Sequence, residues 1–529
     1  MSAALTGTGT LIGLALRRER VRVPVYLAAM LLVFWSTAAQ HDTLYGTQAE
    51  ADTYAATVQG NPGLIAMVGP AYDVTTAGGD TAWQLGGIGA VVAGLMAMFL
   101  VGRHTRGEEQ SGRSELVRAG VVGRAAPAVA ALVVVSAVNV LLGGLVALAM
   151  IGLGEPAAGS LALGASLAGA GLFFTGVALV AMQDNQTTGG AYGVVGAVLG
   201  GAYLLRAAGD VGNGTLSWLS PIGWAQAMRP YAGERWWPLL LLLAGAVALC
   251  AVALALLGRR DDGAGLFAPR PGPARASGAL LHPAGLAARL LRNALLGWTA
   301  GLFLAGVSIG LTGKDVDSLL GDSEEVQKLY MQAGGSLVDN YFAVTLSMMA
   351  LIGTAFAVQA ILRLRGEETA GRAEPLLATA LGRPRWAAGH LAVAAGGTLV
   401  LLLVMGLGTG LADAIERDDA GRVPVLVGAA LASAPAVWVM AGVALALVGL
   451  APRATAAMWG LLGACFLLLY LGPLLSLPGW LLDISPFSHV PLLPAADVDV
   501  VPLIVLTAVA AALSAAGLAG LRRRDIPVT

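Results

Sequence analysis

The chain has 529 residues, 57% of them hydrophobic and 12% charged, against about 25% charged in an ordinary soluble domain, so most soluble folds are excluded. Its 73 glycines follow no Gly-X-Y period, which excludes collagen, and the apolar composition with a net charge of −1 excludes a disordered chain and gives no basis for nucleic-acid binding. What remains is an all-α polytopic membrane protein, because apolar runs long enough to cross a bilayer core of about 30 Å recur from end to end.

Twelve spans are predicted, near 23–40, 84–101, 127–152, 159–182, 188–207, 238–257, 294–312, 342–362, 387–412, 424–450, 455–475 and 500–520. The basic stretch from Arg17 to Arg22 lies far from the start and only a weak cleavage motif follows, so the first span reads as retained rather than as a signal peptide. Segment 41–83 holds Asp42, Glu50, Asp52, Asp73 and Asp80 without Lys or Arg, whereas the next connection holds Arg103, Arg106, Arg113, Arg118 and Arg124. Arginines return after the sixth span (Arg259, Arg260, Arg270, Arg275), after the eighth (Arg363, Arg365, Arg372, Arg383, Arg385) and in the tail (Arg522, Arg523, Arg524). The positive-inside rule then predicts a multi-pass plasma-membrane protein with both termini cytoplasmic and segments 41–83 and 313–341 outside.

The two halves match each other. Gly13-Leu-Ala-x-Arg17-x-x-Arg20 before the first span corresponds to Gly285-Leu-Ala-x-Arg289-x-x-Arg292 before the seventh. After the second span, Arg106-Gly-Glu-Glu-x-x-Gly-Arg113-x-Glu115 corresponds to Arg365-Gly-Glu-Glu-x-x-Gly-Arg372-x-Glu374 after the eighth. Late in each half, Leu219-Ser-Pro221 resembles Ile484-Ser-Pro486. The expected organisation is two parallel six-helix units, 1–257 and 284–529, joined by a polar cytoplasmic linker, 258–283.

The repeated Arg-Gly-Glu-Glu element is the strongest candidate for function. Glu109 and Arg113, like Glu368 and Arg372, are four residues apart in acid-first order, a spacing that bridges one face of a short helix. Leu116 and Val117, and Leu376 and Leu377, add apolar surface. Either copy alone also reads as a solvated loop that retains arginines; recurrence with its glycine and paired glutamates favours a contact element.

This motif, its place after the second span and the six-span unit resemble the permeases of ABC exporters, where the corresponding segment docks on a nucleotide-binding subunit as a coupling helix. The fused double unit, residues 103–118, and Asn61-Pro-Gly-Leu with Gly69-Pro-Ala-Tyr-Asp73 look like the actinobacterial subfamily described as polyketide-antibiotic exporters. The resemblance implies multidrug efflux of hydrophobic compounds by alternating access and assigns coupling to Arg106, Glu108, Glu109, Gly112, Arg113, Glu115, Arg365, Glu367, Glu368, Gly371, Arg372 and Glu374. It also implies a separate ABC ATPase in two copies, carrying ATP and Mg²⁺, since phosphate cradling needs Gly-x-x-x-x-Gly-Lys-Ser/Thr and the nearest imitation here, ending Gly313-Lys314-Asp315, lacks the first glycine and the hydroxyl. Pro375 replaces Leu116 in the second copy, so its docking helix is expected to be broken or inequivalent.

Arg17, Arg18, Arg20 and Arg22, with Arg289 and Arg292, mark amphipathic segments that read as interfacial elbows or as simple topology anchors. Segment 210–237 is rich in Trp for a loop; Trp218, Pro221 and Trp224, with Pro486 and Phe487 in the second half, are candidate outer-gate residues, an aromatic belt being the alternative. Acidic residues within spans are confined to Asp184 and Asp413 at span ends, which argues against an ion-coupled carrier. Met96, Met98, Phe99, Asn139, Met348, Met349, Phe356 and Gln359 are candidates for a substrate path through lipid-like surroundings, with packing and interhelical hydrogen bonding as the competing roles. Five scattered histidines and two intramembrane cysteines, Cys250 and Cys465, show no metal-ligand spacing, and no cofactor or enzymatic site is expected in this chain. An ion-driven drug carrier and a non-transport membrane scaffold remain as alternatives.

Overall fold

Polar caps and prolines decide where the helices start. Thr47 and Glu50 form a reciprocal capping box, Asn61, Thr76, Thr187, Ser220, Ser336 and Asp499 each accept a backbone N–H of the following turn, and Pro127, Pro238 and Pro384 sit in first turns where no backbone donor is required. The computed structural model describes all residues except 1, 2, 46, 262, 267–271, 314, 315, 317–335, 473–476 and 526–529. Among the described residues the regular structure is helical throughout, and the chain divides into two units, Met1–Gly272 and Pro273–Thr529.

The first unit runs α1 (Thr8–Glu19), α2 (Arg22–Leu44), α3 (Gln48–Gly60), α4 (Pro62–Met67), α5 (Ala77–His104), α6 (Arg106–Gln110), α7 (Arg113–Arg118), α8 (Ala126–Gly152), α9 (Ala157–Asp184), α10 (Thr188–Val211), α11 (Pro221–Gln226) and α12 (Trp237–Leu257). Helices α5, α8 and α9 form its buried centre, with α2, α10 and α12 more exposed around them. Gly143 and Gly164 bring α8 and α9 into backbone contact, since a Cβ on either would stand 2.2 Å from the other's carbonyl oxygen.

The second unit runs α13 (Pro283–Thr312), α14 (Leu337–Thr369), α15 (Ala373–Leu377), α16 (Arg383–Arg417), α17 (Arg422–Ala432), α18 (Ala434–Leu450), α19 (Ala457–Leu471), α20 (Gly479–Leu482) and α21 (Val500–Arg523). Here Gly449 lets α18 approach α21, since a Cβ on it would lie 2.2 Å from the Gly517 carbonyl oxygen.

Among the described residues, 11 helices are long and apolar enough to cross a membrane. The span expected at 455–475 is the shorter α19, whose 15 residues reach only about 22 Å at 1.5 Å per residue. The amphipathic segments also differ from their matched sequences. In the first unit α1 is a separate helix, because Pro24 in the first turn of α2 has no N–H for the Arg20 carbonyl. In the second, where no proline intervenes, the corresponding residues run unbroken into the span as α13. The outer segment expected at 313–341 lies largely outside the described residues, as do Lys314 and Asp315.

Candidate functional site

The first Arg-Gly-Glu-Glu element is the pair α6–α7 between the ends of α5 and α8. Gly112 adopts φ 72°, a left-handed conformation suited to glycine, and breaks the helix between Gln110 and Arg113. The expected Glu109–Arg113 bridge therefore does not form, since it required one continuous turn. Instead Glu108 receives Arg18 at 2.8 Å and Arg113 at 3.5 Å, while Glu109 turns inward to Arg106 at 2.6 Å and to Arg260 at 2.5 and 3.0 Å. Arg106, 1% exposed, also donates to the Met182 carbonyl at 2.6 and 3.2 Å and to Ala264 at 3.1 Å, fixing the element to the end of α9 and to the residues after α12. Outside this anchor, Glu115 is exposed, and Leu116 and Val121 are 79% and 87% exposed.

The second element repeats the arrangement. Gly371, at φ 68°, ends α14 before Arg372, so the expected Glu368–Arg372 bridge is again replaced by a neighbour: Arg372 pairs with Glu367 at 2.7 and 3.3 Å, and Arg363 joins at 3.2 Å. The hydrogen bond from Arg372 to Glu367 raises the guanidinium above its usual range. Glu368 turns inward to Arg365 at 3.1 Å and to Arg524 at 2.5 Å. Pro375 does not break α15; it occupies the first turn, where its missing N–H is no loss, and Glu374 beside it is exposed.

Three residues in these clusters escaped the sequence reading. Arg260 and Arg524 looked like orientation signals, although Arg259-Arg260-Asp261 and Arg523-Arg524-Asp525 form a further internal match. Glu19, 2% exposed at the end of α1, pairs with Arg103 at 2.8 Å and with His104 at 3.3 Å. Its matched position in the second half is the buried Leu291. A cleft of about 70 Å³ opens beside α1, lined by Leu11, Leu14, Val117, Ala131, Arg124 and Arg260 among others.

The far ends of the helices carry their own polar clusters. Asp80, assigned by sequence to a loop, lies buried in the first turn of α5, where it meets His41 at 3.2 Å, the Tyr54 hydroxyl at 3.2 Å and Gln84 at 2.9 Å. Burial first, and then the Asp80 charge, push the Tyr54 hydroxyl well above its usual range. In the second unit Asp413 is gripped by Arg417 and Arg422, each at 2.7 Å. The candidate gate residues pack within their own units. Trp218 stacks on Trp237 at 5.1 Å, Trp224 donates to the Trp218 carbonyl and meets Phe173 edge-on, and Pro221 starts α11. Tyr231, beyond α11, donates to Ser160 at 2.9 Å, and burial pushes its hydroxyl up to about 12. In the second unit Pro486 opens a short 3-10 turn and Phe487 is 2% exposed.

The candidate path residues fall into different settings. Met96 and Phe99, with Arg22, Tyr26 and Leu95, line an open apolar groove of about 290 Å³ between α2 and α5. Met98 and Phe356 are buried in their cores, and Met348 and Met349 are half-buried. Asn139 is fully buried and donates to the Val135 carbonyl at 2.9 Å and to Thr175 on α9 at 3.4 Å, an interhelical bond; Gln359 is exposed and accepts from Trp298 at 3.4 Å. No cluster with metal-ligand geometry occurs among the described residues.

The family model described as multidrug efflux system permease Rv1217c, C-terminal domain, matches residues 280–522. The multidrug efflux system permease protein Rv1217c of Mycobacterium tuberculosis (strain ATCC 25618 / H37Rv) is 41% identical over 529 aligned residues, covering 99% of this chain and 96% of that protein. With 11 membrane-length helices among the described residues and a match along essentially its whole length, the chain belongs to the family of multidrug efflux permeases represented by that protein.

Proposed function

We propose that the chain is the permease subunit of an ATP-driven ABC exporter, moving hydrophobic antibiotics, drugs or lipid-like compounds out of the cell by alternating access. The observation that carries this reading is the pair of Arg-Gly-Glu-Glu elements, each anchored inward through its second glutamate and presenting its outer residues to solvent. A separate ABC ATPase, in two copies with ATP and Mg²⁺, docks on these surfaces. Arg113, Glu115, Leu116 and Val121 form the first contact, and Arg372, Glu374 and Pro375 the second. In this reading both termini and the linker face the cytoplasm, and α11 with Trp218 and Trp224 covers the outer exit.

Ethidium efflux from cells expressing the permease with its ATPase tests the proposal. Efflux is expected to stop when the P-loop lysine of the ATPase is replaced and to survive collapse of the proton gradient. The buried His41–Asp80 pair favours a second reading, an ion-coupled carrier, because coupling uses an ionisable group held within helices. That reading predicts the reverse: efflux without any ATPase, abolished by the protonophore.

A further inference from the structure

Each half ties the end of its last long helix to its Arg-Gly-Glu-Glu element by the same two contacts. In the first, Arg260, three residues beyond α12, grips Glu109 through its two terminal guanidinium nitrogens at 2.5 and 3.0 Å. In the second, Arg524, next after α21, grips Glu368 at 2.5 Å. A second tie backs the first: Arg124, just before α8, donates to the Arg260 carbonyl, and Arg383, the first residue of α16, donates to the Arg524 carbonyl. The carboxylates are well shielded, Glu109 at 10% and Glu368 at 1% side-chain exposure, so the pairs are screened far less than surface bridges. An orientation signal needs only positive charge in the loop, whereas this geometry recurs in two units with the partners at matched positions. Helices α12 and α21 are among the least buried spans, and these arginine contacts give each of their ends a charged tie to the element.

We infer that Arg260 and Arg524 are positioning residues that make each last helix move with its cytoplasmic element. A displacement of the element then reaches three helix ends in each half: the one it continues, the one it precedes, and the one held by arginine. This rests on the reading of the elements as the point of energy input.

The test uses the full-length permease in nanodiscs, with Cys250 and Cys465 replaced by Ser and spin labels at the exposed Ala378 and Ala519. The distance distribution is expected to broaden in Arg524→Gln, to narrow again in Arg524→Lys, and to be unchanged in Arg523→Gln, an exposed neighbour. In the same variants co-expressed with the ATPase, Arg524→Gln is expected to lower the initial rate of ethidium efflux by about tenfold, with partial recovery in Arg524→Lys. An unchanged distribution in Arg524→Gln overturns the inference, and so does a broadened one with unchanged efflux. The spin-label measurement contains no ATPase, so broadening together with ATPase-independent efflux leaves the tie standing and overturns the energy source instead.

Discussion

The Arg-rich ends of the two halves are alike inside and different outside. Inward, each has a glutamate held by one arginine three residues before it and another from beyond the last helix: Glu109 by Arg106 and Arg260, Glu368 by Arg365 and Arg524. Outward, the first half adds a separate helix α1, whose Glu19 is buried against Arg103 and His104 and whose Arg18 reaches Glu108. The second half substitutes an unbroken α13 with Leu291 in that place. The shared part is the part that fixes the element to its bundle; the divergent part is the surface around it.

Removing the shared carboxylates tests this most severely. Arg106 and Arg260 have side chains 1% and 3% exposed, so Glu109→Ala strands two buried cations, and an expected loss of about 3–5 kcal/mol follows. Arg365 and Arg524 keep 27% and 15% exposure, water relieves them in part, and Glu368→Ala is expected to cost about 1–3 kcal/mol. Thermal unfolding of the two purified variants checks the order, and equal losses would break the distinction between the halves.

The helix contacts give the next largest effect. Gly164 faces Gly143 in the first unit and Gly449 faces Gly517 in the second, each with room for no side chain. Gly164→Val and Gly449→Val are each expected to destabilise by roughly 1–3 kcal/mol through overpacking. Gly144, which meets nothing within 4 Å, is the matched control. The glycine hinges come below these. Gly112→Ala and Gly371→Ala force a Cβ into the left-handed region at about 1–2 kcal/mol each, and similar values in both halves are expected because their φ angles, 72° and 68°, nearly coincide.

Much of the architecture is legible in sequence for a physical reason. Bilayer thickness dictates the length of an apolar run, so spans and their helical class follow from hydropathy, and a motif that recurs marks its own importance. What stays hidden depends on local backbone geometry and on partners far apart in the chain. The spacing from Glu109 to Arg113 fits a continuous helix, and only the left-handed Gly112 shows that it is not one. Arg260 is one arginine among several until the fold brings it to Glu109. Asp80 reads as a loop acid because its helix begins at Ala77, about seven residues before the point, near 84, that hydropathy alone indicates. Pro24, in contrast, was a readable sign that the matched Gly-Leu-Ala-x-Arg segments fold differently.

The smallest expected effect on stability carries the sharpest test of function. Leu116 and Val121 project from the first element with 79% and 87% exposure, while the matched positions in the second are Pro375 and Ala380, both exposed but smaller in apolar surface. Leu116→Asp and Val121→Asp bury no new charge, so each is expected to change folding stability by no more than about 0.5 kcal/mol. If the exposed faces are where the ATPase docks, the same substitutions remove apolar contact and place an uncompensated charge in the interface. Co-purification of the ATPase should then fall sharply for Val121→Asp and less for Ala380→Asp at the matched position, whose site offers less apolar area to lose. Equal retention of the ATPase by both variants would show that the outward differences between the halves do not shape docking, and would move the contact to the charged residues Arg113 and Arg372 that the two surfaces share.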